Sequence, residues 1–224
     1  MWWLAIPLIG LVGKAVYDAV TDEDEIPPPR SFPPKKIKTH TILELNLVRL
    51  GDQVRSHSGY KIAILGQPGA GKSSLLKKMT NSKVKPLPVI GAQTDATDWS
   101  RDVACNLLSV YENYSFADVP GYDTWSHPLK AFSSYFPFRY FDAYIFVVHG
   151  KLHSSDEDVF RLIAGSGRKI CIARSFCDNI ESDDIKSVEN DIRTRLSCSD
   201  SAPILFFSNR TGTGVDSVFD SVRH

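Results

Sequence analysis

At 224 residues, with 42% of them hydrophobic, the chain is long enough to bury one sizeable core. Lysine plus arginine and aspartate plus glutamate number 26 each, so no global basic field points to nucleic acid. Cys105, Cys171, Cys177 and Cys198 contain no Cys-x-x-Cys pair and read as buried free thiols in a reducing, cytoplasmic compartment.

The chain opens on an uncharged, largely apolar run from Trp2 to Gly13, followed by Lys14 and Asp18 four residues apart. A helix of that length covers about 18 Å, short of the roughly 30 Å hydrocarbon core, and extension to Val20 approaches spanning length. A signal peptide is disfavoured, because no basic region precedes the run and no small-residue cleavage site follows it. Trp2 and Trp3 suit a headgroup interface. Two readings of residues 1–26 stay open: attachment to a membrane through residues 1–20, or a helix buried on the protein itself or on a partner. The acidic run Asp22 to Glu25 then gives way to Ile26-Pro27-Pro28-Pro29-Arg30-Ser31-Phe32-Pro33-Pro34. This composition makes residues 27–38 an extended, semi-rigid linker, with a proline-rich ligand for another domain as the second reading. Over residues 39–58, Thr41 and Glu44 form a capping box, and Leu43, Leu47, Leu50 and Val54 share one helical face. They predict a lead-in helix docked on the domain that fills residues 59–224.

That domain begins with Tyr60-Lys61-Ile62-Ala63-Ile64-Leu65, a buried strand, and a helix from Lys72 to Met79. Between them lies Gly66-Gln67-Pro68-Gly69-Ala70-Gly71-Lys72-Ser73-Ser74. Small residues at Gly66, Gly69, Ala70 and Gly71 let backbone N–H groups turn toward phosphates. Lys72 can reach β and γ oxygens, and the Ser73 hydroxyl, beside Ser74, can ligate Mg²⁺. The helix N-terminus faces the same anion.

A long polar connection follows, then two strand-like runs, Val103 to Val110 and Tyr114 to Asp118, joined by a turn at Glu112-Asn113. The second ends in Asp118-Val119-Pro120-Gly121. An aspartate there can hold Mg²⁺ through water, and Gly121 can offer its N–H to a γ-phosphate.

With this element in place the chain resembles the P-loop GTPases, and within them the translation-factor-related class. The loop form Gly-x-x-Gly-x-Gly-Lys-Ser-Ser is similar to that of immunity-related, septin-like and Era-like GTPases. The resemblance covers residues 60–224. It implies an α/β, doubly wound, mostly parallel sheet, the small-GTPase G domain, preceded here by a helical N-terminal extension. It also implies GTP or GDP with Mg²⁺ as cofactors. A threonine between Lys83 and Arg101 is then expected to coordinate Mg²⁺ and sense the γ-phosphate. Thr94 and Thr97 both qualify, and Thr97 is preferred for its distance ahead of Asp118. Metal ligation falls to Ser73, Thr97 and Asp118, and the catalytic set to Lys72, Gly121 and Thr97.

The family's base-recognition motif matches Arg174-Ser175-Phe176-Cys177-Asp178 in degenerate form. Asp178 stands where a carboxylate accepts both N–H groups of a guanine edge, whereas adenine would be repelled. Phe176 replaces the usual lysine, as a stacking surface for the base or as a core residue that leaves base selectivity weak. A further motif matches Ser208-Asn209-Arg210, whose backbone N–H groups would reach guanine O6.

Tyr122 occupies the position where many relatives carry a water-positioning glutamine. Gly69 replaces the asparagine used by potassium-dependent relatives, so potassium activation is not expected, and Arg101 lies beyond Thr97. The expectation is slow GTP hydrolysis, with unassisted turnover no faster than about 10⁻³ s⁻¹, the order shown by the small GTPase Ras without its activating partner. Fast cleavage would need a partner or self-association. A non-hydrolysing GTP-bound scaffold and a P-loop ATPase or kinase remain as alternatives.

The remaining elements alternate: a strand from Ala143 to His149, a helix from Ser155 with Ser155 and Asp158 as capping box, and a strand from Lys169 to Arg174. Ser182 is expected to cap a helix with Asp183 and Asp184 in its first turn and Ile185, Val188, Ile192 and Leu196 on one face. The apolar run Pro203 to Phe207 and a last helix from Val215 to Val222 complete the domain. His149 and His153, separated by Gly150, read as a strand exit rather than a metal pair. The aromatic series Trp125, Phe132, Tyr135, Phe136, Phe138, Tyr140 and Phe141 is either core or a docking surface for an effector or a second GTPase.

Overall fold

The computed structural model describes residues 40–91, 97–199 and 201–223. The expected anchor at 1–26, the linker at 27–38 and Thr94 lie outside the described residues.

Helix α1, Ile42–Ser56, starts where the sequence places its cap: the Thr41 hydroxyl accepts from Glu44 N–H at 3.2 Å, and the Glu44 carboxylate accepts from Thr41 N–H at 3.0 Å. Its face of Leu43, Leu47, Leu50 and Val54 is buried. Strand β1, Tyr60–Gly66, and helix α2, Lys72–Met79, flank the glycine-rich loop. Then come β2, Ser109–Tyr111; β3, Tyr114–Asp118; α3, Leu129–Tyr135; β4, Ala143–Val148; and α4, Ser154–Ala164. Strand β5, Lys169–Arg174, helix α5, Ile185–Leu196, strand β6, Ile204–Phe206, and helix α6, Val215–Val222, close the domain.

The sheet runs β2-β3-β1-β4-β5-β6, with every pairing parallel except the β2–β3 hairpin. Strands buried on both faces read as continuous apolar runs, and β1 shows why: Ile62 and Ile64 pack with α2 and α6, while Ala63 and Leu65 pack with α1, α3, α4 and α5. Parallel strands end together, so the C-terminal ends of β1 and β3 deliver Gly66 and Asp118 to the same edge.

Four expectations are corrected. The run from Val103 contributes a strand only from Ser109, and Val103 is exposed. The Asp102 side chain accepts from Ala104 N–H at 2.8 Å, a local bond that turns the backbone away from the sheet ladder. Helix α4 begins at Ser154, and its reach-back acid is Asp156, which accepts from His153 N–H at 2.8 Å, because Asp158 instead pairs outward with Arg161. Ser182 opens a 3₁₀ turn, Ser182–Asp184, closed by Asp184 N–H to Glu181 O at 3.0 Å, and does not cap α5. Cys171 is buried, but Cys105, Cys177 and Cys198 are only partly so.

The aromatic series divides. Phe132, Phe136 and Phe141 are core, whereas Trp125 and Tyr140 face outward.

Candidate functional site

The glycine-rich loop turns at the end of β1, a central strand of the sheet. Gly71, at φ +93°, takes the left-handed conformation that launches α2, a backbone that side-chain-bearing residues rarely adopt. Ala70 has its methyl in the core and donates its N–H to Gln67 O at 3.2 Å. Lys72 is buried and folds its ammonium over the loop, donating to Gly66 O at 2.9 Å and Gln67 O at 3.0 Å. A cation is thereby held over the turn that presents Gly69 and Gly71.

Beside it three oxygen-bearing side chains converge. Ser73 Oγ donates to Asp118 Oδ2 at 2.6 Å, Thr97 Oγ1 donates to the same oxygen at 3.2 Å, and the two hydroxyls lie 3.4 Å apart. Asp118 is only 7% exposed, and its Oδ1 is buried with no hydrogen-bond partner. Burial pushes the Asp118 carboxyl up from its ordinary range, against the lowering effects of the Ser73 hydrogen bond, the Lys72 charge and the Thr97 hydrogen bond. A hard, all-oxygen set with an orphaned carboxylate oxygen fits Mg²⁺ in kind.

Gly121 packs against the loop: a Cβ there would sit 2.4 Å from Pro68 N. Tyr122 leaves the cleft altogether. It is fully buried, and its hydroxyl donates to Asp156 Oδ1 at 2.6 Å.

At the other end, Phe176 is 39% exposed in a left-handed conformation at φ +57°, with its ring edge-on to His149 at 5.0 Å. It is therefore not a core residue. Asp178 Oδ2 accepts from Arg210 Nη2 at 2.7 Å, and its Oδ1 is buried without a partner. The nearby Ser208 hydroxyl, and then the Arg210 charge and hydrogen bond, hold the Asp178 carboxyl below its usual range. Ser208 is buried and also accepts from Arg210 and Thr211 N–H groups, which shapes its own loop. Asn209 reaches across the domain, donating to Gly71 O at 2.9 Å.

A cleft of about 450 Å³ joins these parts, lined by Gly69, Gly71 to Ser74, Thr97, Gly121, Phe176 and Asn209. Gly66 lies behind it at the strand end, and Asp178 lines an adjoining cleft of about 240 Å³ with Phe176, Asn209 and Arg210. Motif spacing does not single out the side chains of Val89, Ile90 or Arg210, and all three line the larger cleft. The available signal was the adjacent apolar pair Val89-Ile90 inside the connection between α2 and β2. Among the described residues no group of three or more metal-ligating His, Cys, Asp or Glu side chains occurs, and His149 serves as a packing partner for Phe176.

A phosphate loop on a central strand, an aspartate on the neighbouring strand, and a second acidic loop further along the same sheet edge define a P-loop nucleotide-binding domain. Comparison with known proteins narrows the class. The family model for the 50S ribosome-binding GTPase matches residues 61–175. GTPase Der of Lachnoclostridium phytofermentans is 33% identical over 175 residues, which cover 72% of this chain and 38% of that protein. Among solved structures, the bacterial selenocysteine-specific elongation factor EF-Sec matches with a TM-score of 0.54 at 19% identity, over 73% of this chain and 28% of that one. A probable GTP-binding protein engB matches with a TM-score of 0.52 at 15% identity, over 72% of this chain and 96% of that one. These two likenesses speak for the fold alone. The chain belongs to the 50S ribosome-binding GTPase family, within the translation-factor-related P-loop GTPases. It spans about 38% of the length of the Der relative.

Among the described residues, no helix is long and apolar enough to cross a membrane.

Proposed function

We propose that the protein is a guanine-nucleotide switch that hydrolyses GTP slowly in the presence of Mg²⁺ and needs a partner or self-association for fast cleavage. The observation that carries this reading is the convergence of Thr97, from the connection, with Ser73 and Asp118 within 3.4 Å. Thr97 belongs to a segment distinct from the phosphate loop, so a ligand that engages all three reports its γ-phosphate to that segment. Ser73, Thr97 and Asp118 would hold Mg²⁺, which when bound neutralises phosphate charge. Lys72 and the loop N–H groups bind the phosphate chain, and Gly121 N–H faces the γ end. Asp178 accepts the guanine N–H edge while Phe176 covers the base.

Slow turnover follows from what position 122 offers: a tyrosine hydroxyl committed to Asp156 cannot orient an attacking water. Arg101 is exposed and paired with Asp98 at 2.7 Å, which leaves it to a partner to supply an arginine that stabilises the transition-state charge. The same observation at Tyr122 favours a second reading, a scaffold that retains GTP and cleaves none. A P-loop ATPase or kinase is disfavoured by the acidic group at Asp178. The N-terminal residues 1–20 are proposed to bring the domain to a membrane or to a partner protein, with effector or homodimer contacts through the outward-facing Trp125.

Nucleotide content, exchange and single-turnover hydrolysis, with Lys72→Ala as control, test the reading. A switch exchanges GDP for GTP and cleaves it; a scaffold retains GTP unchanged; equal competition by ATP would overturn both.

A further inference from the structure

The two loops that meet at the γ-phosphate end of the cleft are both tied to adjacent residues at the start of α4. Gln67, in the phosphate loop, donates its side-chain amide to Ser155 Oγ at 2.9 Å. Tyr122 donates its hydroxyl to Asp156 Oδ1 at 2.6 Å, a charge-assisted bond between two buried groups. Asp156 Oδ2 accepts His153 N–H at 2.8 Å, so one carboxylate both closes the first turn of α4 and holds the tyrosine. The tethers bracket one contact. Gln67 precedes Pro68, Tyr122 follows Gly121, and Pro68 and Gly121 approach so closely that no Cβ fits between them.

The consequence is mechanical. Gly121 can present its N–H to a phosphate only while its loop stays in register with the phosphate loop, and backbone contact alone does not fix that register. The buried Tyr122 ring, edge-on to Phe132 at 6.5 Å, cannot rotate out without breaking its hydroxyl bond. Burial raises the Tyr122 hydroxyl well above its ordinary range, so it stays a neutral donor.

We infer that Asp156 and Ser155 are positioning residues which, acting through Tyr122 and Gln67, lock Gly121 against the phosphate loop and so set how well the site distinguishes a nucleoside triphosphate from a diphosphate. The inference rests on the guanine-nucleotide reading given above and deepens it. Neither residue touches the nucleotide. Each works through the loop it holds.

The test measures affinities of the full chain for GDP and for a non-hydrolysable GTP analogue, with Mg²⁺, in wild type, Tyr122→Phe, Asp156→Asn and the double variant. The triphosphate-to-diphosphate affinity ratio should fall about threefold to tenfold in each single variant, as expected for a lost charge-assisted bond only part of which is felt at the ligand. GDP affinity should stay within about twofold, and the double variant should be no worse than the weaker single one, since Tyr122→Phe removes and Asp156→Asn weakens the same tether. A merely structural role would lower the melting temperature and weaken both nucleotides in proportion; an unchanged ratio therefore overturns the inference. If Tyr122→Phe and Asp156→Asn fail to fold, Ser155→Ala cuts the other tether and is judged on the same ratio. Wild-type protein that binds neither nucleotide fails the guanine-nucleotide reading itself, whereas tight binding of both with an unmoved ratio in the variants fails only the positioning role.

Discussion

The side-chain amide of Asn46, in α1, donates to the carbonyl oxygen of Trp99 at 2.8 Å, two residues beyond Thr97. The same amide donates to Asp102 O at 2.8 Å, and Arg49 donates to Cys105 O. From the other side, Trp99 N–H donates to His127 Nε2 at 3.2 Å. The segment that carries Thr97 is therefore pinned between the lead-in helix and the loop after Gly121, so α1 is part of the site's framework.

Replacing Asn46 by alanine strands the buried carbonyl of Trp99, removes the partly buried bond to the Asp102 carbonyl and opens a small void. Stability should fall by about 1–3 kcal/mol, the cost of unmade buried hydrogen bonds. Chemical denaturation of wild type and Asn46→Ala reads this as a lower midpoint at equal slope. A loss under about 0.5 kcal/mol would show that solvent or rearrangement satisfies the segment instead.

Asp118 makes a prediction with a definite sign in pH. Burial raises its folded carboxyl above the unfolded value of 3.8. Between those two values the folded chain holds the proton more tightly, so its contribution to stability is full below 3.8 and is lost as pH rises through the raised folded value. Above 3.8 this ionisable, buried carboxyl therefore costs the metal-free protein stability. Asp118→Asn removes it and should be more stable than wild type in EDTA at about pH 7, by about 0.5–2 kcal/mol, the usual gain from relaxing a functional site. That advantage should shrink as pH falls toward about 4, and the variant should lose Mg²⁺-dependent tightening of triphosphate binding. Asp98 and Asp178, both lowered, act in the opposite sense and cancel in the difference between the two proteins. Thermal melts over that pH range, in EDTA, provide the comparison; a stability difference that does not vary with pH would count against the buried charge.

Phe176 is exposed over the cleft, where the proposed function gives its ring contact area with a base. Phe176→Ala should weaken GDP by about tenfold, within the range of about 1–3 kcal/mol for aromatic stacking on a nucleobase. Inorganic pyrophosphate, which has no base, should compete equally well against both proteins. Calorimetric titration distinguishes the outcomes, and equal losses for GDP and pyrophosphate would mean that the substitution disturbs the phosphate loop instead.

Local signals carried far in this chain. The Gly66 to Ser74 spacing, the apolar runs of β1, β3, β4 and β5, the Glu112-Asn113 turn and the Thr41–Glu44 cap all depend on residues a few positions apart, where backbone geometry and hydrogen bonding act directly. The parallel order of the sheet followed from strands alternating with helices. The start of α4 was misplaced where one side chain has two employers: Asp156 holds distant Tyr122 and also closes its own first turn, while the neighbouring Ser155 holds Gln67.

By itself, the order of residues determined which groups stand at the phosphate loop and at the end of β3, because Lys72, Ser73 and Asp118 sit at fixed offsets from strand ends. The tertiary structure alone decided the partners of Tyr122, Asn46 and Asn209, which lie 34, 53 and 138 residues away along the chain. No periodicity or propensity reaches that far. Such pairs form only when packing of separate elements brings them within hydrogen-bond distance and burial makes leaving them unpaired too costly.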